Sequence, residues 1–432
     1  MSLAQKINDK TAIIGIVGLG YVGLPMAVTV ARKGFNVIGV DLSEYAVTHV
    51  NSGKNYIGDV DDTELKELVQ IGKLKAFLTY ECMKDADVIM IAVPTPLDKY
   101  QQPDSSYVRS SVASLVENVS KDTLVILEST TYPGTTAEII VPAFEKKGFE
   151  VGKDIFIAFS PERVDPGNKD YKTNNTPKVV GGVTKQCNEL SKIFYESILD
   201  APIHLVSSPA VAEMEKIYEN TFRNINIALA NEMTILCERM RLNVWEVIEA
   251  AKTKPYGFMA FYPGPGIGGH CIPLDPFYLT WKAREYGYHT RLIELAGEIN
   301  NHMPEFVVNK LSNALNKRGI SLSRSKILIL GVAYKKDIED MRESPVQQLM
   351  LILEKAQVNF DFNDPHVPVF HNELNDKKYN SVGLDNIEDY DAILITTDHT
   401  IYDYKDIVEK SKLIIDTRNA TKGIESENII LL

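Results

Sequence analysis

Short runs of β-branched apolar residues at 12–17, 37–40, 88–93, 124–128 and 155–159 alternate with segments of helical period through about the first 200 residues. Runs of this length and composition are strands, and their alternation with helices predicts a parallel sheet covered on both faces. From 210 to 242 the chain carries neither Pro nor Gly, and Val211, Met214, Ile217, Phe222, Ile225, Leu229 and Leu236 recur at helical spacings, which predicts one long central helix. A second helical segment at 244–251 follows, then a Gly- and Pro-rich loop at 255–276 and a helical region at 277–315. At 327–331, 358–362, 392–396 and 413–416 the strand pattern returns. The expectation is an α/β chain with two doubly wound domains, 1–205 and 319–432, joined by a helical linker at 206–318 that includes the long helix.

Composition narrows this picture. A length of 432 residues exceeds one ordinary core, and no apolar stretch approaches the roughly 20 residues of a membrane span. The apolar run 11–25 is broken by Gly15, Gly18, Gly20 and Gly23 and lacks the flanks of a signal peptide. Cys82, Cys187, Cys237 and Cys271 show neither CxxC pairing nor metal-ligand spacing, so no disulfide framework and no metal is expected, and a reducing cytoplasm fits. A net charge of −12 opposes nucleic-acid binding, because phosphate affinity is built from Lys and Arg. An anionic substrate therefore needs a locally basic pocket.

Gly18, Gly20, Tyr21, Val22 and Gly23 form a GxGxxG loop directly after the first strand and before a helix at 24–33. The first glycine makes the tight turn, the second admits a pyrophosphate, and the third lets helix and strand pack closely. The second strand ends at Asp41, where a carboxylate bonds a ribose hydroxyl and repels a 2′-phosphate, so NAD is expected rather than NADP. Val93-Pro94-Thr95-Pro96 ends a later strand, where ligands of such sheets bind, and Thr95 is taken as a further cofactor contact.

A second segment, GPGIGGHCIPLDP at 264–276, places Cys271 among glycines that allow close approach of a substrate, with Asp275 four residues on. A lone cysteine is more often a small buried hydrophobe. Here it keeps company with GLGYVG at 18–23, VPTP at 93–96, ESTTYPGTT at 128–136, SPERVDPG at 160–167, AEMEKIYENTF at 212–222 and GVAYKKDIEDMRESP at 331–345. In order and over nearly the whole length, these seven motifs resemble the UDP-glucose/GDP-mannose dehydrogenase family.

The resemblance implies a Rossmann-like NAD domain, a helical linker used for homodimerisation and a C-terminal UDP-sugar-binding domain. It implies oxidation of a sugar C6 alcohol through an aldehyde to a carboxylate with two NAD, the product serving surface polysaccharide synthesis. Cys271 would form a thiohemiacetal and then a thioester. Lys216 and Asn220, one helical turn apart, would stabilise the oxyanion and contact substrate. Asp275, Glu162 and Thr130 are candidates for activating or positioning water, Glu162 also contacting substrate and Thr130 cofactor. Gly268, Lys335 and Arg418 match substrate-binding positions, and Arg342 one that reaches the cofactor. The chain departs from the UDP-glucose branch at Pro166, where another acid often stands and where neighbouring Asp165 is a candidate substitute whose side chain would point elsewhere, and at Leu274, where lysine is common. His270 before the cysteine and Phe277-Tyr278-Leu279 after it resemble the branch acting on UDP-N-acetylhexosamines, UDP-N-acetylglucosamine above all. The alternatives are a UDP-glucose or UDP-N-acetylmannosamine 6-dehydrogenase, or a two-electron alcohol dehydrogenase that needs no thiol.

Overall fold

The computed structural model describes residues 1–57, 60–98, 100–164, 168 and 170–432. They form two compact units, Met1–Glu219 with Trp281–Tyr288, and Asn220–Thr280 with His289–Leu432.

The first unit holds strands β1 (Ile13–Val17), β2 (Asn36–Val40), β3 (Leu74–Phe77), β4 (Val88–Ile91), β5 (Thr123–Leu127), β6 (Ile155–Phe159), β7 (Lys178–Gly182) and β8 (Ile203–Val206) in the order β3-β2-β1-β4-β5-β6-β7-β8. Every pairing is parallel except β6 with β7. Alternate residues feed two separate cores. Ile14, Ile16, Val88, Met90, Leu124 and Ile126 pack on one face, and Val17, Ile89, Ile91, Val125 and Leu127 on the other. Burial on both faces is why these strands read as continuous apolar runs. The strand order reverses between β1 and β4, and the crevice beyond the carboxyl ends at such a switch point is where doubly wound sheets bind ligands.

In the second unit β9 (Lys326–Leu330), β10 (Asn359–Asn363), β13 (Ala392–Ile395), β14 (Ile414–Asp416) and β15 (Ile429–Leu431) make an all-parallel sheet, β10-β9-β13-β14-β15. A hairpin of β11 (Val369–Asn372) and β12 (Lys377–Asn380) is separate. Helices Arg291–Lys317 and Pro345–Lys355 bury Leu311, Leu315, Leu349 and Leu353 against one sheet face, and Ile407 and Val408 of Tyr404–Lys410 cover the other.

The α/β class and both doubly wound sheets stand as expected. The helix Pro209–Met240 is continuous, beginning in the first unit and ending in the second. The helical region 277–315 is two helices, Asp275–Ala283 and Arg291–Lys317, separated by a turn whose Gly287 sits at φ 66°, a left-handed conformation that glycine adopts without cost. Strands β3, β7, β8, β11, β12 and β15 were not read from the sequence. Most are short, and β8, β12 and β15 are only partly buried, so they lack a clean apolar signature.

Candidate functional site

In the first unit the three glycines of the loop after β1 differ in what surrounds them. Gly18 has φ 89°, and a Cβ there would lie 2.5 Å from the Ala92 carbonyl oxygen. A Cβ on Gly23 would lie 1.8 Å from the Gly18 carbonyl oxygen, so the helix Gly23–Arg32 can approach the loop only without a side chain. Among the described residues, Gly20 has no atom beyond its chain neighbours within 4 Å of where its Cβ would stand. That open space beside a helix N-terminus is the cradle a pyrophosphate needs, and the residues fit NAD. Tyr21 is exposed and Val22 half-buried beside it.

Asp41 closes the same region. Its carboxylate accepts the Leu19 and Ser43 N–H groups, each at 2.8 Å, and Tyr56 donates its hydroxyl to the Leu19 carbonyl at 2.6 Å. Thr95 is half-buried after β4, and the Ser129 hydroxyl fixes that segment by donating to the Val93 carbonyl at 2.7 Å. Thr130, half-buried, follows β5 at the same edge.

Beyond β5 and β6 lies a buried charge cluster. Lys178 Nζ stands 3.0 Å from Glu128 Oε1 and 3.2 Å from Glu162 Oε2. Tyr195 donates to Glu128 at 2.6 Å. Glu162 Oε1 accepts the Arg163 and Val164 N–H groups at 2.7 and 2.8 Å. Burial opposes ionisation of Glu162, but the Lys178 ammonium and the two N–H groups outweigh it and hold its carboxyl below the usual range. Burial prevails at Glu128, whose carboxyl is raised despite Lys178. Lys216 is buried on the long helix, one turn beyond Glu213, whose carboxylate accepts the Gly134 N–H (2.6 Å), the Thr136 N–H (2.8 Å) and the Thr136 hydroxyl (2.6 Å). Glu213 thereby ties that helix to the loop carrying Thr130.

In the second unit Cys271 is exposed, and its carbonyl accepts the Asp275 N–H at 2.9 Å, which sets Asp275 one turn away at the start of its helix. Asn220 donates to Asp275 Oδ2 at 2.5 Å, both side chains buried. Asn224 and Asn231, farther along the same helix, hold the cysteine loop by donating to the Ile272 carbonyl and accepting from the Gly264 N–H. Three glycines let that loop press on its surroundings: a Cβ would lie 2.5 Å from Arg418 Nη1 at Gly264, 2.5 Å from Tyr334 Cβ at Gly268 and 2.9 Å from the Tyr334 ring at Gly269. Gly269 N–H also bonds the Arg342 carbonyl at 3.0 Å. Arg342 forks onto Asp340, with Nη2 to Oδ2 at 2.6 Å, and Arg418 Nε donates to the Thr396 carbonyl at 2.8 Å. Burial, followed by the Arg342 charge, lowers the His270 imidazole, keeping it neutral at pH 7.

The second unit thus gathers Asn220, Gly268, Cys271, Asp275, Arg342 and Arg418 around one loop, with half-buried Lys335 next to Tyr334. The first gathers Gly18, Gly20, Tyr21, Val22, Gly23, Asp41, Thr95 and Thr130 at one sheet edge. Asp165 and Pro166 lie outside the described residues. Sequence reasoning missed Glu128, Lys178, Tyr195, Glu213 and Tyr56. Lys178 and Glu128 are each an ionisable residue bordering an apolar strand, and Glu128 also opens the ESTTYPGTT motif, but nothing in the sequence pairs them.

Three family models match in succession: the NAD-binding domain of the UDP-glucose/GDP-mannose dehydrogenase family at 12–199, its central domain at 210–302 and its UDP-binding domain at 328–423. The chain is 36% identical over 392 residues to a UDP-N-acetyl-D-glucosamine 6-dehydrogenase of Pseudomonas aeruginosa, covering 90% of this chain and 91% of that one. It is 37% identical over 418 residues to a UDP-N-acetyl-D-mannosamine dehydrogenase of Pyrococcus horikoshii, covering 95% and 96%. A solved structure of UDP-D-ManNAc dehydrogenase from Pyrococcus horikoshii superposes with a TM-score of 0.88 at 35% identity, covering 97% of this chain and 98% of that one.

Proposed function

The chain belongs to the UDP-glucose/GDP-mannose dehydrogenase family, as an NAD-dependent nucleotide-sugar dehydrogenase, and from that premise we propose that it oxidises C6 of a UDP-N-acetylhexosamine, UDP-N-acetylglucosamine first. The observation that carries this reading is the identity to the Pseudomonas aeruginosa enzyme across nine-tenths of both chains. A second reading, UDP-N-acetylmannosamine, is favoured by the Pyrococcus horikoshii relative at almost the same identity. The two sugars differ only in C2 configuration.

NAD, when bound, supplies the hydride acceptor for both oxidation steps. The chain's own residues supply the rest. The Cys271 thiolate adds to the C6 aldehyde, forming a C–S bond and an oxyanion, and oxidation of this thiohemiacetal leaves a thioester. Water attacks the thioester carbonyl, the C–S bond breaks, and the carboxylate leaves the regenerated thiolate. Asn220 carries two N–H donors; one binds Asp275 and the other serves the oxyanion together with the Lys216 ammonium. Asp275 takes the proton of the attacking water, and ionised Glu162 and the Thr130 hydroxyl orient water and substrate. Lys335 and Arg418 hold the UDP phosphates, the Gly268 backbone contacts the sugar, and Arg342 serves the cofactor. The product carries a new carboxylate, suited to an acidic surface polysaccharide.

A homodimer is part of this reading. Met214, Tyr218, Phe222, Leu229, Leu236 and Met240 form an exposed apolar stripe along Pro209–Met240, the kind of surface a second copy covers.

The test is the number of NADH formed per UDP-N-acetylglucosamine or UDP-N-acetylmannosamine consumed, with Cys271→Ser alongside. Two NADH from one of the sugars and lost turnover in the variant are expected. One NADH with an indifferent variant would make this a two-electron alcohol dehydrogenase.

A further inference from the structure

The antiparallel pairing of β7 in the first sheet has a local result. Its register pairs Gly182 with Ala158 and Gly181 with Phe159, so the first residue of β7, Lys178, extends past the carboxyl end of β6. At that edge Glu128 ends the run of β5 and Glu162 follows Ser160. Lys178 is 3% exposed, beside a Glu128 that is 1% exposed. A buried ammonium is retained only when anions surround it, and here it contacts both carboxylates and lies 5.5 Å from the Tyr195 ring centroid.

Both Glu162 oxygens are engaged, Oε1 by two backbone N–H groups and Oε2 by Lys178, which fixes the carboxylate plane. Among the described residues, the charged and titratable groups about it are Lys178 on β7, Glu128 after β5, Tyr195 on the helix Lys185–Ile198, and adjacent Arg163. Arg163 is itself turned toward Glu215 and Glu219 of the long helix. We infer that Lys178 is a positioning residue, fixing the orientation and the ionised form of the Glu162 carboxylate, with Glu128 and Tyr195 fixing Lys178 in turn. This rests on the proposed role of Glu162. It adds to that role a group that touches neither substrate nor cofactor.

The experiment is a pH titration of the full-length enzyme carrying 13C at the glutamate carboxyl carbons, the Glu162 resonance being identified by its loss in Glu162→Gln, with NADH production measured on the same samples. In Lys178→Met the Glu162 midpoint is expected to rise by about one pH unit or more, the scale of an opposite charge within 4–6 Å. The acid limb of the kcat profile is expected to move up with it, a loss approaching tenfold at pH values below both midpoints, and Lys178→Arg to recover most of both. An unmoved midpoint overturns the inference. A moved midpoint with Glu162→Gln turning over as wild type overturns the reading of Glu162 and leaves Lys178 a structural ion pair. Should Lys178→Met fail to fold, because buried Glu128 and half-buried Glu162 lose their counter-ion, Glu128→Gln/Lys178→Met removes one of the two carboxylates and carries the same expectation.

Discussion

Gly20→Ala and Gly23→Ala, three residues apart in one loop, are predicted to fail in different ways. At Gly20 the added methyl meets nothing within 4 Å among the described residues, and the residue lies outside the left-handed region, so the protein without ligand keeps its stability. Loss of glycine freedom in the unfolded chain is worth about 0.4–1 kcal/mol in the variant's favour. The methyl instead occupies the space the pyrophosphate needs. With NAD at 100 times its wild-type Kd, binding stabilises wild type by about 2.7 kcal/mol, and a hundredfold weaker variant keeps only about 0.4 kcal/mol. At Gly23 the methyl would stand 1.8 Å from a backbone carbonyl oxygen, so loop or helix must move, at roughly 3 kcal/mol or more with or without ligand. Thermal unfolding of both variants, with and without saturating NAD, separates the two effects. An unliganded Gly20→Ala protein that melts below wild type, or one that gains the full NAD shift, would refute the division of roles.

Glu213→Ala strands two N–H groups and a hydroxyl in the interior, and urea unfolding should show a loss of about 3 kcal/mol, with weakened turnover because the Thr130 loop loses its tether. Burial, and then the neighbouring Glu219, raise the Glu215 carboxyl to about 7. A folded-state value above the unfolded one means stability present at low pH is lost as pH rises through about 7, so melting temperature should fall between pH 5 and 7.5 in wild type and fall less in Glu215→Gln. Asp364 behaves oppositely. Burial opposes its charge, but His399 and the backbone N–H groups of Ala333 and His366 hold it low, so its contribution is lost as pH falls, and Asp364→Asn should unfold at lower urea at pH 7. Leu229→Glu with Leu236→Glu should convert a dimer to monomer in light scattering; a monomeric wild type would reject the dimer outright.

Much of the fold was legible because burial on both sheet faces leaves continuous apolar runs, and because glycine is demanded where backbones nearly touch. Gly18, Gly23 and Asp41 announce their geometry locally, as does the helix that carries Lys216 and Asn220. The glycines around Cys271 read from the sequence as room for a substrate, whereas Gly264, Gly268 and Gly269 abut Arg418 and Tyr334. Contacts between residues distant in sequence were not legible. Periodicity reports which side of an element is buried, never what lies against it, so no pattern paired Asn220 with Asp275 or Glu213 with Gly134. Lys178 is the sharpest case. Its meeting with Glu128 and Glu162 depends on β7 running antiparallel to β6, a choice of strand direction made by tertiary pairing alone, which turns a lysine at the start of an apolar strand into the counter-ion of two acids.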